Sequence, residues 1–198
     1  MKKTFKFLNR IGLKNKDFTI ISDNCWGGFV YDHFAIKYRS PFINLFLFPH
    51  CYIELLGDFE QNMASELEFI DPNRSKYVKQ MQEINTVNMY PIGVIRGNIE
   101  IHFLHYRNEN DANIKWRERK KRINRDNMLI KFCDRLVDIP DPIRQFDKLP
   151  FKHKVCFTTK PYPYKSVMAL NGFNIKKYLN DMKNRPGCTS PVFPQHLV

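Results

Sequence analysis

The sequence predicts one α/β domain over residues 1–198: a three-layer, Rossmann-like sandwich with a mostly parallel or mixed central sheet and an added β-hairpin. Two observations predict this class. Predicted strands alternate with predicted helices along the 198 residues, and most of the strands are continuous apolar runs. Such runs are typical of strands that are covered on both faces, as in parallel sheets between helices. The length suits a single domain.

The elements follow from local patterns. The apolar stretch "DFTIIS" (17–22) predicts the first strand, and Gly27 and Gly28 open a helix behind it. Pro49 suits the first turn of a second helix. The run 90–106 predicts a hairpin that turns at Arg96-Gly97-Asn98. Further strands are predicted at 64–70, 127–134 and 153–159, and further helices at 109–123, 141–149 and 173–182. The run 75–84 has helical spacing, with a long loop as the alternative interpretation. Residues 1–16 form a basic N-terminal segment, and 184–198 a Pro-punctuated, irregular tail.

Charge and composition limit the classes of function. The chain carries 32 Lys and Arg against 20 Asp and Glu, a net charge of +12, which favours anionic partners. No apolar run approaches the ~20 residues that a membrane-spanning helix needs, and residues 1–16 lack the apolar core of a secretory signal. Five scattered cysteines in such a chain indicate reduced thiols in a cytoplasm. We therefore expect a cytoplasmic protein whose basic N-terminal segment can contact the inner face of an anionic membrane.

The stretch "SDNCWGG" (22–28) follows the first predicted strand. Ligands of open α/β sheets bind beyond the carboxyl ends of the strands, and a helix N-terminus favours anions. The stretch therefore predicts one wall of an anion-binding pocket. Ser, Asp and Asn are also the usual N-cap residues, so an ordinary capped turn is the alternative interpretation.

The dipeptide Cys25-Trp26 before a helix resembles the nucleophile region of papain-like proteases. A helix N-terminus lowers the pKa of a thiol and so favours nucleophilic attack. Those proteases, however, have a Gln shortly upstream for the oxyanion hole, where this chain has Thr19 or Ile20. A cysteine hydrolase is therefore the weakest of the functional hypotheses.

The stretch "EIHFLHY" (100–106) contains two histidines. Side chains alternate along a strand, so His102 and His105 point to opposite faces, which argues against a metal site made by this strand alone. Glu100 and His102 share a face and could act as an acid–base pair. A strand with one satisfied polar face is the alternative.

The predicted helix 109–123 places Arg119 on its apolar stripe. A buried arginine needs an anionic partner, either Asp126, Asp134 or a bound phosphate. The outer basic residues of this helix are expected to be a solvated face. Lys160 follows the strand 153–159, and we expect it at the same sheet edge as Ser22, either as an anion ligand or as part of a polar turn.

The predicted site combines these residues at one sheet edge. The predicted catalytic residues are Asp23, His102 and Asp126. The predicted substrate-binding residues are Ser22, Asn24, Cys25, Trp26, Gly27, Gly28, His105, Lys115, Arg119, Asn124, Asn127 and Lys160. Neither a metal nor a cofactor is expected, and the chain lacks the Asp-x-Asp motif with which many glycosyltransferases hold a cation.

Four stretches carry a family resemblance. They are "FTIISDNCWGGFVYDHFAIKYRSPFINLFLFPHCYIELL" (18–56), "YPIGVIRGNIEIHFLHY" (90–106), "ANIKWRERKKRINRDNMLIKFCD" (112–134) and "LPFKHKVCFTTKPYP" (149–163). In this order they resemble a bacterial family of unknown function found in exopolysaccharide and capsule biosynthesis loci. The resemblance implies an α/β domain and a role in making surface polysaccharide. It identifies no reaction and no catalytic residue.

We therefore expect a transferase, glycosyl or acyl, that acts on a phosphorylated, nucleotide-activated or lipid-linked sugar. Basic residues would hold the diphosphate, and Asp23 or Asp126 would act as base on an acceptor hydroxyl. The alternative is a non-catalytic assembly or regulatory protein that binds a glycan, a partner synthase or the membrane surface. Nucleic acid is not expected as a partner, because the chain contains no known recognition module.

Overall fold

The computed structural model describes residues 13–134 and 140–170. The predicted helix 173–182, the tail 184–198 and most of the segment 1–16 lie outside the described residues. The strands are β1 (Thr19–Ser22), β2 (Leu67–Ile70), β3 (Ile92–Ile95), β4 (Ile99–His102), β5 (Met128–Cys133), β6 (Lys154–Thr158) and β7 (Val167–Ala169). The helices are α1 (Trp26–His33), α2 (Pro49–Gly57), α3 (Phe59–Ala64), α4 (Val78–Glu83), α5 (Glu109–Lys120) and α6 (Pro140–Lys148), with a 3₁₀ turn at Pro72–Arg74.

One sheet is parallel and has the strand order β1-β5-β6-β7. Ser22 pairs with Lys131, and Cys133 pairs with Phe157, so the carboxyl ends of β1, β5 and β6 meet at one edge. The predicted α/β fold with a parallel sheet is confirmed. Across the sheet, the four described strands lie in the same order as they occur along the chain. Among these strands the order does not reverse, and a reversal is where the ligand crevice of doubly wound folds opens.

The second sheet is antiparallel, with the order β2-β3-β4. The predicted hairpin is confirmed as β3 and β4. Its turn has positive φ at Arg96 (52°) and Gly97 (72°), as in a type I′ turn, whose twist matches that of the paired strands. The hairpin does not join the parallel sheet. Its outer neighbour is β2, which pairs with β3 along its whole length.

Helices cover both faces of the parallel sheet. Ile20 of β1 packs in one cluster with Tyr31 of α1. Its neighbour Ile21 packs in the main core with Tyr52 of α2 and Phe146 of α6. Since successive strand residues point to opposite faces, α1 lies on one face and α2 and α6 lie on the other. The three predicted layers are thereby present.

Helix α2 joins the two sheets. The Tyr52 hydroxyl lies 2.9 Å from the carbonyl oxygens of both Ile21 and Lys131 in the parallel sheet. The adjacent Cys51 thiol accepts the backbone N–H of Glu100 in the antiparallel sheet at 3.3 Å. Tyr52 and Cys51 are both fully buried. Two neighbouring residues of one helix therefore fix the relative position of the two sheets.

Two short elements were not predicted. Helix α3 has six residues, and strand β7 has three, a length at which an alternating period cannot be read. Strand β7 pairs only with β6 among the described strands.

Helix α1 ends in a strained residue that offers a stability test. Ala35 has φ 51°, and the next residue, Ile36, donates its N–H to the Tyr31 carbonyl at 3.1 Å, as in a Schellman motif, which favours glycine at this position. We expect Ala35→Gly to raise the free energy of unfolding by about 0.5–1 kcal/mol, measured by urea denaturation. Ala64→Gly, at the end of α3 and outside the left-handed region, is the control and should not stabilise. Equal effects of the two substitutions would contradict the assignment of strain.

Candidate functional site at the carboxyl edge of the parallel sheet

The carboxyl ends of three parallel strands bring polar side chains together. Asp23 and Asn24 follow β1, Lys131 and Cys133 lie in the last half of β5, and Asp134 and Thr159 follow β5 and β6. We call these six residues the edge cluster: Asp23, Asn24, Lys131, Cys133, Asp134 and Thr159. The polar wall predicted after β1 is therefore extended by two further strands.

A buried ion pair lies at the centre of the edge cluster. The Lys131 Nζ atom lies 3.0 Å from Asp23 Oδ1, and the two side chains are only 3% and 1% exposed. Lys131 Nζ also donates to Asn24 Oδ1 at 3.2 Å, and the Cys133 thiol donates to Asp23 Oδ2 at 3.5 Å. Both carboxylate oxygens of Asp23 therefore have donors, which offsets part of the desolvation cost of burying a charge.

The pair also acts on the adjacent tyrosine. Burial raises the pKa of Tyr52 well above its ordinary range, and the charge of Asp23 adds to this effect. The Tyr52 hydroxyl therefore stays neutral and serves as a donor to the β1 and β5 backbone. This position holds the two strands together directly behind the ion pair.

The turn after β1 is shaped by a hydrogen bond to the Asn24 side chain and by close packing. Asn24 Oδ1 accepts the N–H of Trp26 at 3.0 Å, which satisfies the first free donor of α1. A Cβ on Gly27 would lie 3.1 Å from Ile20 Cγ2, and a Cβ on Gly28 would lie 3.4 Å from Ile43 Cγ2. Both glycines thus allow α1 to pack closely, and their predicted role as donors to an anion stays a prediction.

Asp134 ties the ends of β5 and β6 together. Its Oδ2 atom accepts the N–H of Thr159 at 2.7 Å and the Thr159 hydroxyl at 2.9 Å. The Thr158 hydroxyl donates to the carbonyl of Lys160 at 2.7 Å. These bonds fix the backbone that presents the exposed Lys160 at the same edge as Ser22 and Asp23.

Aromatic side chains flank this edge. The half-buried Trp26 contacts Phe157 of β6 with 5.9 Å between ring centroids. In the loop after β6, Tyr162 and Tyr164 stack with 6.2 Å between centroids and an interplanar angle of 10°. The edge therefore combines charged groups with flat apolar surfaces, a composition typical of binding sites for small molecules.

Three predicted site residues lie at the opposite edge of the sheet. The Asn124 N–H binds the Thr19 hydroxyl at 2.8 Å, and Asn127 Nδ2 binds the Asp17 carbonyl at 2.8 Å. Asp126 lies between them. The prediction that Asn124, Asp126 and Asn127 share an edge with Asp23 is wrong, because they precede β5 and parallel strands begin and end at opposite edges.

The partners of Arg119 differ from those that the sequence predicted. Its Nη1 atom donates to the Tyr106 hydroxyl at 2.8 Å, and its guanidinium lies 5.1 Å from the centroid of Tyr38. The predicted partners Asp126 and Asp134 do not pair with it. A half-exposed arginine that stacks on an aromatic ring does not need a carboxylate. Lys115 binds Asp111 on its own helix at 2.9 Å, so neither cation belongs to the edge cluster.

His102 lies in a separate buried cluster in the antiparallel sheet. Its Nε2 atom is 3.6 Å from Glu100 Oε2, so the two side chains share a face as strand alternation predicts. Glu100 accepts the Ser75 hydroxyl at 2.6 Å and the Lys76 N–H at 2.8 Å. We call Ser75, Glu100 and His102 the inner cluster. Burial acts to raise the pKa of Glu100, but the nearby His102 imidazole and the hydrogen bonds from Ser75 and Lys76 outweigh burial and hold the pKa below its ordinary value.

The ring of His102 is enclosed by aromatic side chains. Their ring centroids lie 5.2–6.1 Å from that of the imidazole: Phe46, Phe48, Tyr77 and Tyr90. His102 is 0% exposed. His105 lies apart from both clusters, with its N–H on the Asn44 carbonyl at 3.3 Å, and burial lowers the pKa of its imidazole. The predicted site is therefore divided among several regions of the molecule.

Sequence reasoning missed Lys131 and Cys133. The stretch "MLIKFC" reads as a buried strand, and a lysine inside such a run is the signal that could have identified a buried charge. Its partner is 108 residues away, a separation that no local pattern reveals. In the described part of the chain, no group of His, Cys, Asp and Glu side chains has the arrangement to hold a metal ion.

Cys25, predicted to be a substrate-binding residue, is buried. It is 3% exposed, and its thiol donates to the Leu45 carbonyl at 3.8 Å. Because a buried thiol is inert, we expect iodoacetamide to modify Cys25 more slowly than the half-buried Cys133, as measured by peptide mass spectrometry. Urea-unfolded protein is the control and should show equal rates. Rapid modification of Cys25 in the folded protein near neutral pH would restore the cysteine-hydrolase hypothesis.

The fold and site thus define an α/β protein with a charged cluster at the carboxyl edge of its parallel sheet. Residues 1–193 match a family model described as a domain of unknown function, DUF1919, and the chain belongs to this family. An uncharacterized protein of Haemophilus influenzae is 36% identical over 180 residues, covering 89% of this chain and 80% of the relative. The family membership is confirmed, while the association with surface polysaccharide stays a prediction.

Proposed function

We propose that the chain is a transferase in the synthesis of surface polysaccharide, acting on an activated or lipid-linked sugar at the edge cluster. The buried Asp23–Lys131 pair carries this proposal. Burying two charges costs free energy even when they are paired. Buried charged groups at the ligand-binding edge of an α/β sheet are candidates for function.

The residues have different roles in this proposal. Asp23 accepts the proton of the acceptor hydroxyl, whose oxygen attacks the donor carbon while the phosphate group leaves. Since Asp23 is only 1% exposed, it takes the proton through one water, which general-base catalysis tolerates. Lys131 pairs with the carboxylate and holds it in place, and the exposed Lys160 holds the leaving phosphate. Trp26 offers an apolar face to the sugar ring.

Two residues of the predicted catalytic set have no role in the proposed reaction. His102 is enclosed in the inner cluster, and Asp126 lies at the opposite edge of the parallel sheet. Neither side chain lies where it could share a substrate with Asp23. Asp23 is therefore the base in the proposed reaction.

The proposed location is the cytoplasm, with contact at the inner face of the membrane. Among residues 13–134 and 140–170, no helix has both the length and the apolar character to cross a bilayer. A lipid-linked sugar would then be reached from the membrane surface. Net charge supports this location, since +12 favours an anionic surface.

Ligand binding tests the proposal with a matched pair of variants. UDP-, GDP- and CMP-sugars are the probes, and the readouts are the shift in melting temperature and the Kd from calorimetry. We expect Lys160→Gln to weaken binding about tenfold, because it removes a charged hydrogen bond to phosphate, and to leave the melting temperature of the free protein unchanged. Lys152→Gln removes another exposed lysine just before β6 and should bind like the wild type.

Two results would count against the proposal. Absence of a thermal shift with every nucleotide-sugar would favour the non-catalytic assembly or regulatory role. Equal Kd values for Lys160→Gln and Lys152→Gln would remove the carboxyl edge as the place where phosphate binds.

A further inference from the structure

We propose that the outer face of α5 is a docking surface for the anionic headgroups of a phospholipid membrane. Four residues spaced by three or four positions form it, and we call them the outer stripe: Asn110, Ile114, Arg117 and Lys121. Residues at this spacing lie on one face of a helix. From residue 110 to residue 121 the stripe extends about 17 Å at 1.5 Å per residue, enough to contact several headgroups.

The outer stripe faces solvent, whereas the opposite side of α5 faces the core. Ala112 and Trp116 are 0% and 1% exposed. Ile114 is 49% exposed. Asn110, Arg117 and Lys121 are exposed as well. The stripe is therefore accessible along its whole length.

The charge of this helix is complementary to an anionic surface. Residues 107–122 contain seven cationic side chains against three acidic ones. Two of the acids are bound by cations beside the stripe, Asp111 by Lys115 at 2.9 Å and Glu118 by Arg122 at 3.5 Å. Arg117 and Lys121 remain available on the stripe, and each basic residue near an anionic bilayer contributes about 1 kcal/mol of attraction.

The exposed isoleucine distinguishes a membrane from nucleic acid. Ile114 lies at the centre of the stripe, where an apolar side chain gains free energy by burial at the boundary between headgroups and acyl chains. A phosphodiester backbone offers it no apolar partner. The stripe also carries none of the aromatic side chains on which single-stranded bases stack. The combination of cations around one exposed aliphatic residue therefore favours a lipid surface.

This surface deepens the proposed function and rests on it for its purpose, because a lipid-linked sugar must be reached at a membrane. Docking is nevertheless measured without any sugar or reaction. Vesicle binding that fails while nucleotide-sugar binding is intact would overturn the docking surface alone. The reverse result would overturn the transferase and leave the docking surface standing.

Vesicle co-sedimentation tests the outer stripe. The full chain is mixed with vesicles of two parts phosphatidylcholine to one part phosphatidylglycerol, and with vesicles of phosphatidylcholine alone. We expect binding only to the anionic vesicles and a loss of about tenfold or more in Arg117→Gln/Lys121→Gln, since two basic residues are removed. The control Lys79→Gln/Lys152→Gln removes two exposed lysines outside α5 and should bind like the wild type.

Ile114→Ser separates the two classes of anionic partner. We expect this variant to bind the vesicles several-fold more weakly, because it removes apolar burial, while binding to a single-stranded RNA oligonucleotide does not change. Circular dichroism verifies that all variants keep the helix. Equal vesicle binding by both double variants would overturn the proposal. RNA binding tighter than vesicle binding, with Ile114→Ser silent in both, would assign the stripe to nucleic acid instead.

Discussion

Lys131→Met is expected to lower the free energy of unfolding by about 3–5 kcal/mol, because breaking a buried ion pair leaves a carboxylate without its neutralising cation. Asp23 is 1% exposed, so water replaces little of the lost interaction. Urea denaturation at neutral pH measures the effect. Lys160→Met is the matched control, since it makes the same substitution at an exposed residue and should change stability by less than about 0.5 kcal/mol.

The double variant Asp23→Asn/Lys131→Met separates the structural role of the pair from its proposed chemical role. Removing both charges eliminates the uncompensated carboxylate, so we expect the double variant to be more stable than Lys131→Met alone. It should nevertheless have lost nucleotide-sugar turnover, because it lacks the proposed base. A folded double variant with wild-type turnover would remove Asp23 from the mechanism. Additive losses of stability would show that the two side chains do not act as a pair.

Local patterns were sufficient for most of the fold. The apolar run 17–22 and the glycines behind it predicted β1 and α1. The turn residues Arg96-Gly97-Asn98 between two apolar runs predicted the hairpin, and in the structure Arg96 and Gly97 have the positive φ that a tight hairpin turn requires. What the sequence could not reveal is that the hairpin joins β2 in a second sheet, since strand partners are chosen by long-range packing.

The candidate site was predictable only where its residues follow one another in the chain. Asp23 and Asn24 follow β1 directly, so the rule on strand ends applied to them. Applying the same rule near β5 required knowing which residues come before the strand and which come after it. Asn124 to Asn127 precede β5, so they lie at the opposite edge. Lys131 could be recognised as unusual within an apolar run, but its pairing with Asp23 depends on the register of two strands far apart in sequence.

A second large effect is expected in the antiparallel sheet, where Glu100 organises the inner cluster. Glu100 accepts hydrogen bonds from the Ser75 hydroxyl and the Lys76 N–H, and Nε2 of His102 lies 3.6 Å away. In Glu100→Gln the charged acceptor of these bonds becomes a neutral amide. We therefore expect a loss of about 1–3 kcal/mol at neutral pH, because buried hydrogen bonds to a charged group are replaced by weaker neutral ones. Glu68→Gln is the matched control: both residues lie opposite Val94 in the sheet, but Glu68 is exposed.

The effect of Glu100→Gln should depend on pH with a defined sign. The pKa of Glu100 is lower in the folded protein than its ordinary value, so the folded state binds this proton less readily than the unfolded chain does. The contribution of the carboxylate is therefore complete above an unfolded-state pKa of about 4.3. It is lost as the pH falls through the lower pKa of the folded state. Denaturation curves from neutral to acidic pH should show the difference between wild type and Glu100→Gln narrowing in that window. A constant difference would mean that Glu100 is not held charged by its hydrogen bonds.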